Sequence, residues 1–184
     1  MGKLIYNITT SLDGYAADRD GDIGWGAPSE EVLECVNDLL RDVRTFLLGR
    51  KVYETLAVWD TIPIDGASEG VNEFGKIWRA ARKIVYSRSL SEVETANTTL
   101  ERTFNAQIVK KLVAESDGDF DIGGPHLAAE AIRAGIVDEY SQFVVPLLLG
   151  GGNYWLPKDA TGKLELVEAR EFKNGFAHLR FRKV

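Results

Sequence analysis

The residues best placed to do chemistry sit where apolar runs end in glycine. In Phe120-Asp-Ile-Gly-Gly-Pro-His126, the pair Gly123-Gly124 would let a bulky anion approach the backbone. Pro125 suits the first position of a helix, where its missing N–H costs nothing. The free amides of a helix start carry partial positive charge, which is how a phosphate is commonly held. A Gly-Gly between strand and helix also occurs as a plain tight connection. Gly49-Arg50-Lys51 closes the run Thr45-Phe-Leu-Leu48 in the same way. Two cations in a first helical turn oppose the helix dipole. An anion held between them would account for that placement, and a pair of solvated surface charges is the alternative. Ser87-Arg88 ends a third run, Lys83-Ile-Val-Tyr86, and reads either as ligand groups or as a turn hydroxyl with a surface charge. Glu30, in Pro28-Ser-Glu-Glu31, is either a first-turn acid favoured by the dipole or a carboxylate facing a site.

These residues need elements to position them. Leu4–Ile8 reads as a buried strand, followed by a polar segment that turns at Asp13-Gly14, and 15–28 reads as a long loop carrying Trp25. Ser29 suits an N-cap for a helix that buries Val32, Val36, Leu39, Leu40 and Val43. A helix then runs through Tyr53 and Leu56, and 59–75 reads as a second long loop, with helix from Val71 to Ala81. Thr98–Thr103 is an edge-like strand, Ala106–Glu115 a helix, and a further helix runs from Pro125 to a stop at Gly135. Asp138–Leu149 is a strand broken by Pro146. The alternating stretches 163–172 and 176–182 flank Asn174-Gly175, a hairpin signal that places His178 as a partly exposed strand residue. Strands alternating with helices predict a mostly parallel α/β sheet. Ligands of such sheets bind outside the carboxyl ends of the strands, so the three glycine- and arginine-bearing loops are expected to converge on one edge.

The bulk numbers narrow the class. The chain has 184 residues, which predicts a single domain over 1–184. A net charge of −6 without a basic run argues against nucleic acid as a partner. The one cysteine, Cys35, lies among aliphatic residues and reads as a core thiol, and the two histidines, His126 and His178, are too few and too far apart for a zinc site, so no metal is expected. With no apolar leader and no run near the roughly 20 residues of a membrane span, the expected location is the cytoplasm.

Five segments in order carry a resemblance over essentially the whole chain: Ser11-Leu-Asp-Gly14, Leu48-Gly-Arg-Lys51, Val85-Tyr-Ser-Arg88, Ile122-Gly-Gly-Pro125 and Pro146-Leu-Leu-Leu-Gly-Gly-Gly152. The sequence resembles the dihydrofolate reductase superfamily, in the branch of the reductase (C-terminal) domain of the bifunctional riboflavin-biosynthesis deaminase/reductase. That resemblance implies a dihydrofolate reductase-like sheet of about eight strands with flanking helices and a C-terminal antiparallel hairpin. It implies an NADPH-dependent reductase that passes hydride to a C=N or C=O carbon, as 5-amino-6-(5-phosphoribosylamino)uracil reductase or dihydrofolate reductase does. No counterpart of the arginine that receives a folate tail is found. By the same resemblance, Gly49, Arg50, Lys51 and Val52 would hold cofactor phosphates, and Ser87 with Arg88 the adenosine 2′-phosphate side. Gly123, Gly124, Pro125 and His126, flanked by Ile122 and Leu127, would take the pyrophosphate, and Thr9, Asp13, Ala16 and Ala17 would lie near the nicotinamide. The spacing of Trp25, Pro28 and Glu30 carries Glu30 onto the proton-donating carboxylate, with Asp13 the second catalytic candidate and Trp25 and Trp59 walls for the substrate. A homodimer is implied. The reading from another class is an NADP(H)-binding sensor or interaction module with little turnover.

Overall fold

Apolar runs too continuous for a half-exposed strand become the interior of a sheet covered on both faces. The computed structural model describes residues 2–184. Its strands are β1 (Leu4–Ser11), β2 (Tyr15–Ala17), β3 (Val43–Gly49), β4 (Arg82–Tyr86), β5 (Thr98–Glu101), β6 (Asp119–Gly123), β7 (Glu139–Val145), β8 (Asn153–Tyr154), β9 (Leu164–Glu171) and β10 (Ala177–Lys183). Its helices are α1 (Glu30–Leu40), α2 (Arg50–Leu56), α3 (Glu69–Ala80), α4 (Ala106–Glu115) and α5 (Pro125–Arg133). No helix among the described residues is long and apolar enough to cross a membrane.

Eight strands form one sheet in the order β5-β4-β3-β6-β1-β7-β10-β9, and β2 pairs with β8 beside it. The pairs from β5 to β7 are parallel, while β10 is antiparallel to both β7 and β9. This is the dihydrofolate reductase-like sheet with its terminal hairpin. Alternation along each strand sends side chains to opposite faces. Leu4, Tyr6, Leu47 and Ile122 pack under α4 and α5 through Val109, Val113, Ala128 and Ala131. Phe46, Leu48 and Val85 face the other way, against Leu40 at the end of α1, Tyr53 of α2 and Trp78 of α3. Nearer the start of α1, Val32 and Cys35 cover Phe143, Val145, Phe172 and Phe176.

The helix starts follow local chemistry. The Ser29 hydroxyl accepts the Val32 amide and the Asn105 side chain accepts the amides of Gln107 and Ile108. Pro125 stands in the first turn of α5.

Three expectations change. The expected loop over 59–75 begins inside a 3-10 turn at Ala57–Asp60 and takes in the first turns of α3. Glycine is unfavourable inside a helix, yet the missing Cβ of Gly70 is what lets Glu30 approach: a Cβ there would lie 2.9 Å from Glu30 Oε1. The remaining loop is fastened by Arg79, which donates to the carbonyls of Trp59 and Ile62 at 2.9 and 2.6 Å. The expected loop over 15–28 contributes β2, whose partner β8 lies far along the chain. His178 is fully buried rather than partly exposed. It sits on the inner strand of the hairpin, stacks on Phe143 with ring centroids 4.4 Å apart, and lies 2.9 Å from the Ser141 hydroxyl through Nε2.

Ile122, one of the residues expected at the cofactor, belongs to this core and is fully buried on the α4–α5 face. Ile122→Ala should lower the unfolding free energy by about 2–5 kcal/mol, the usual cost of such a truncation. In urea this should appear as a lower midpoint with an unchanged m-value.

Candidate functional site

A parallel strand pair fixes where its two chains leave the sheet. Leu48 of β3 stands opposite Val85 of β4 and Gly123 of β6, and Gly49 opposite Tyr86. The segments Gly49-Arg50-Lys51, Ser87-Arg88 and Gly123-Gly124 therefore leave adjacent strands at one rim. The start of α5 is shaped for close approach. Gly124 has φ +93, a conformation other residues adopt only with strain, and a Cβ there would lie 2.9 Å from Val52 Cγ2. No side chain caps this helix start, so its first amides keep free donors.

A cavity of about 540 Å³ runs from this rim down to the sheet. It gathers most of the expected residues: Thr9, Ala16 and Ala17; Gly49, Arg50, Lys51 and Val52; Gly123, Gly124, Pro125, His126 and Leu127; and Trp25. Arg50 and Lys51 are exposed at the mouth. The nearest carboxylate to Arg50 is that of Glu54, at 4.0 Å, and Lys51 forms no ion pair among the described residues. The floor is apolar, with Val36, Leu40, Phe46 and Leu48. The loop before α1 makes one wall with Ile23 and Trp25. It is tied down from within: Asp18 Oδ1 accepts the amides of Asp20 and Asp22, and the Trp25 indole donates to the Asp22 carbonyl at 2.9 Å.

Six expected residues stand elsewhere. Ser87 and Arg88 are at the same rim but outside the cavity lining, and the Ser87 hydroxyl accepts the amides of Ser89 and Leu90. Ile122 is in the core. Trp59 packs on Phe74, ring centroids 4.7 Å apart, and it is Phe74 that reaches the cavity. Asp13 accepts the amides of Leu149 and Gly150 at 3.1 and 2.7 Å, bracing the glycine loop instead of facing the site. Glu30 is likewise turned away: it accepts the Ser68 hydroxyl at 2.6 Å and the Gly70 amide at 2.7 Å. These bonds, that from Ser68 foremost, hold its carboxyl below the usual range. Carboxylates so engaged are held ionised at neutral pH, and neither Glu30 nor Asp13 lines the cavity.

The acid in the cavity is Asp121. The residue is 7% exposed, and Oδ1 has no hydrogen-bond partner. Burial raises its carboxyl from 3.8 to about 8. The sequence did carry a signal for it: a carboxylate set between the apolar Phe120 and Ile122, inside the short strand that Asp119 begins. Asn7 and Asn153 also line the cavity, and nothing local marks them.

Comparison with known proteins agrees with this architecture. The family model of the RibD C-terminal domain matches residues 2–178. An uncharacterised protein of Bacillus subtilis, YyaP, is 22% identical over 178 residues, covering 96% of this chain and 93% of its own. The crystal structure of a candidate riboflavin biosynthesis protein of Shewanella sp. PV-4 superposes with a TM-score of 0.76 at 20% identity, over 100% of this chain and 99% of that one. The diaminohydroxyphosphoribosylaminopyrimidine deaminase/5-amino-6-(5-phosphoribosylamino)uracil reductase of Thermotoga maritima gives a TM-score of 0.67 at 16% identity, over 100% of this chain and 57% of that longer one.

Asp121 gives the site a signature in stability. Its folded-state value lies above its unfolded one, so its contribution is complete at acid pH and is lost as pH rises from about 4 to about 8. Chemical denaturation at several pH values should show wild type losing stability relative to Asp121→Asn across that window, with a constant difference above it.

Proposed function

The chain belongs to the RibD C-terminal domain family, and from that premise we propose that it is an NADPH-dependent reductase. Its substrate would be a small molecule with a reducible C=N or C=O bond, of the class of 5-amino-6-(5-phosphoribosylamino)uracil. One observation carries the reading: a single cavity joins a cationic, glycine-started rim to an apolar floor. The rim suits a dinucleotide's phosphates and the floor suits flat rings. The fit can be checked on the chain itself. A side chain at Gly124 would fill the cradle before α5, and the uncapped amides behind it are donors awaiting an acceptor.

Under this reading the start of α5, from Gly123 to His126, holds the pyrophosphate, with Arg50 and Lys51 supplying charge. Ser87 and Arg88 follow the next strand along the rim and would take the 2′-phosphate, for which arginine's forked donors are well matched. Ala16 and Ala17 present small side chains where a planar ring must come close, and Thr9 borders the same space. The bound nicotinamide supplies the hydride. The chain's own task is to align the reacting groups and keep water out, with Ile23 and Trp25 as the covering wall. The open sheet edge supports a homodimer. On β9, the last strand of the sheet, Leu164, Leu166 and Val167 are 43%, 54% and 45% exposed, and a strand with one open edge of this kind is a ready surface for a second copy.

NADPH should quench the tryptophan fluorescence of the wild-type protein on titration and bind more tightly than NADH. Lys51→Ala should raise its Kd by about tenfold or more, the loss of one charge-assisted contact, and Gly124→Ala should also raise it, because the added Cβ would fill the cradle. Absence of saturable NADPH binding would end the reading, and binding without oxidation on any carbonyl or imine would favour a sensor. Light scattering after size exclusion should give twice the mass of one chain, and Leu166→Lys should shift it toward the monomer.

A further inference from the structure

Among the residues that line the cavity, one ionisable side chain is buried, and the reading above gives it no task. We propose that Asp121 is the acid of this site: a neutral carboxyl group that meets the substrate's reducible bond and hands its proton to the heteroatom. The inference rests on the reductase reading and deepens it.

Position comes first. Asp121 stands on β6 opposite Ile5 of β1 and Phe46 of β3, on the sheet face that forms the cavity floor. Gly123 is two residues further on and on the same face. Having no side chain, it leaves the way open between the carboxyl and the start of α5. A ligand anchored by its phosphates at the rim would extend along this path toward the floor.

The surroundings decide the protonation state. The groups that α1 and α3 contribute to the cavity lining are Val36, Leu40 and Phe74, none of which titrates. The cations of α2, Arg50 and Lys51, and His126 of α5 are exposed at the mouth, and no residue forms a salt bridge with Asp121 among those described. The Tyr6 hydroxyl on β1 donates to the Trp155 carbonyl at 2.8 Å. A buried carboxyl without a counter-charge keeps its proton, because ionising it there costs far more than in water. Buried polar atoms without partners are rare in folded proteins and ask for a reason. Oδ1 of Asp121 is one, and a ligand in the cavity would give it a partner. The other candidate acids, Glu30 and Asp13, are occupied as acceptors.

The step balances. Hydride forms a new C–H bond at the substrate carbon, and the π pair of the double bond moves to nitrogen or oxygen. That atom takes the proton from the Asp121 O–H. NADPH is oxidised to NADP⁺, the substrate gains two electrons, and the Asp121 carboxylate regains a proton from solvent when product leaves.

Asp121→Asn keeps the shape of the side chain and removes the transferable proton. Infrared difference spectra of the ligand-free proteins, wild type minus Asp121→Asn, should show a protonated carboxyl band at pH 7 that titrates away near pH 8. NADPH affinity, read by fluorescence, should differ by less than about threefold between the two, which also shows that the variant is folded. With NADPH and 5-amino-6-(5-phosphoribosylamino)uracil, the rate should fall about 10²–10⁴-fold, the usual worth of a positioned acid. The wild-type rate should decline as pH rises through about 8, and the residual rate of the variant should not. A carboxylate band at pH 7 overturns the proposal, as does a variant that oxidises NADPH at the wild-type rate. NADPH bound by wild type but not oxidised on this probe counts against proton delivery. A wild-type chain that binds no NADPH overturns the reductase reading and the proposal with it.

Discussion

The parallel pairing of β4, β3, β6 and β1 is the constraint on which the rest depends. Parallel neighbours cannot be joined by a tight turn, so each strand must hand the chain to a returning segment at the same end of the sheet. Because Leu48 is level with both Val85 and Gly123, three such departures fall side by side. A slip of one residue in β6 would put Asp121 into the core under α5 and Ile122 into the cavity. The site is thus a consequence of register before it is a set of side chains.

Polarity is segregated along the cavity. The protein is acidic overall, with a net charge of −6, yet the mouth carries Arg50 and Lys51. A small cationic rim on an acidic surface focuses attraction on one place and suits a compact anion better than a long polyanion. Below the rim the lining turns apolar, and there a carboxyl group is held neutral by burial. Placing Asp121 in that position costs stability at neutral pH, a cost that the two covered faces of the sheet must offset. Buried polar positions that work against stability are characteristic of sites, and this one lines the cavity.

Much of the architecture was legible in the sequence because it is set by local interactions. The α4 span has the same ends as its apolar spacing indicates, and Asn174-Gly175 marks the hairpin turn between β9 and β10. Gly123-Gly124-Pro125 marks a strand handing over to a helix, with Gly124 in the left-handed conformation that only glycine adopts freely. The beginning of α3 was not legible, since Gly70 argues against a helix until the Glu30 carboxylate is seen to need its space. Nor was the burial of His178, since alternation assigns a face to a strand residue without saying what covers that face.

The site divides along the same line. Sequence by itself determined the backbone devices of the rim, glycines and cations at strand ends, because those depend on neighbours within a few residues. It also determined that the strands alternate with helices, and so that the ends share an edge. Which carboxylate faces the cavity was decided only by tertiary structure. Glu30, and after it Asp13, are the carboxylates offered in one dimension, but their oxygens are claimed by Ser68, Gly70, Leu149 and Gly150, partners more than thirty residues away. Asp121 is left unclaimed by the packing of β1, β3 and α1 around it. Hydrogen bonding and desolvation act through space, so the role of an ionisable group follows from what surrounds it in the fold.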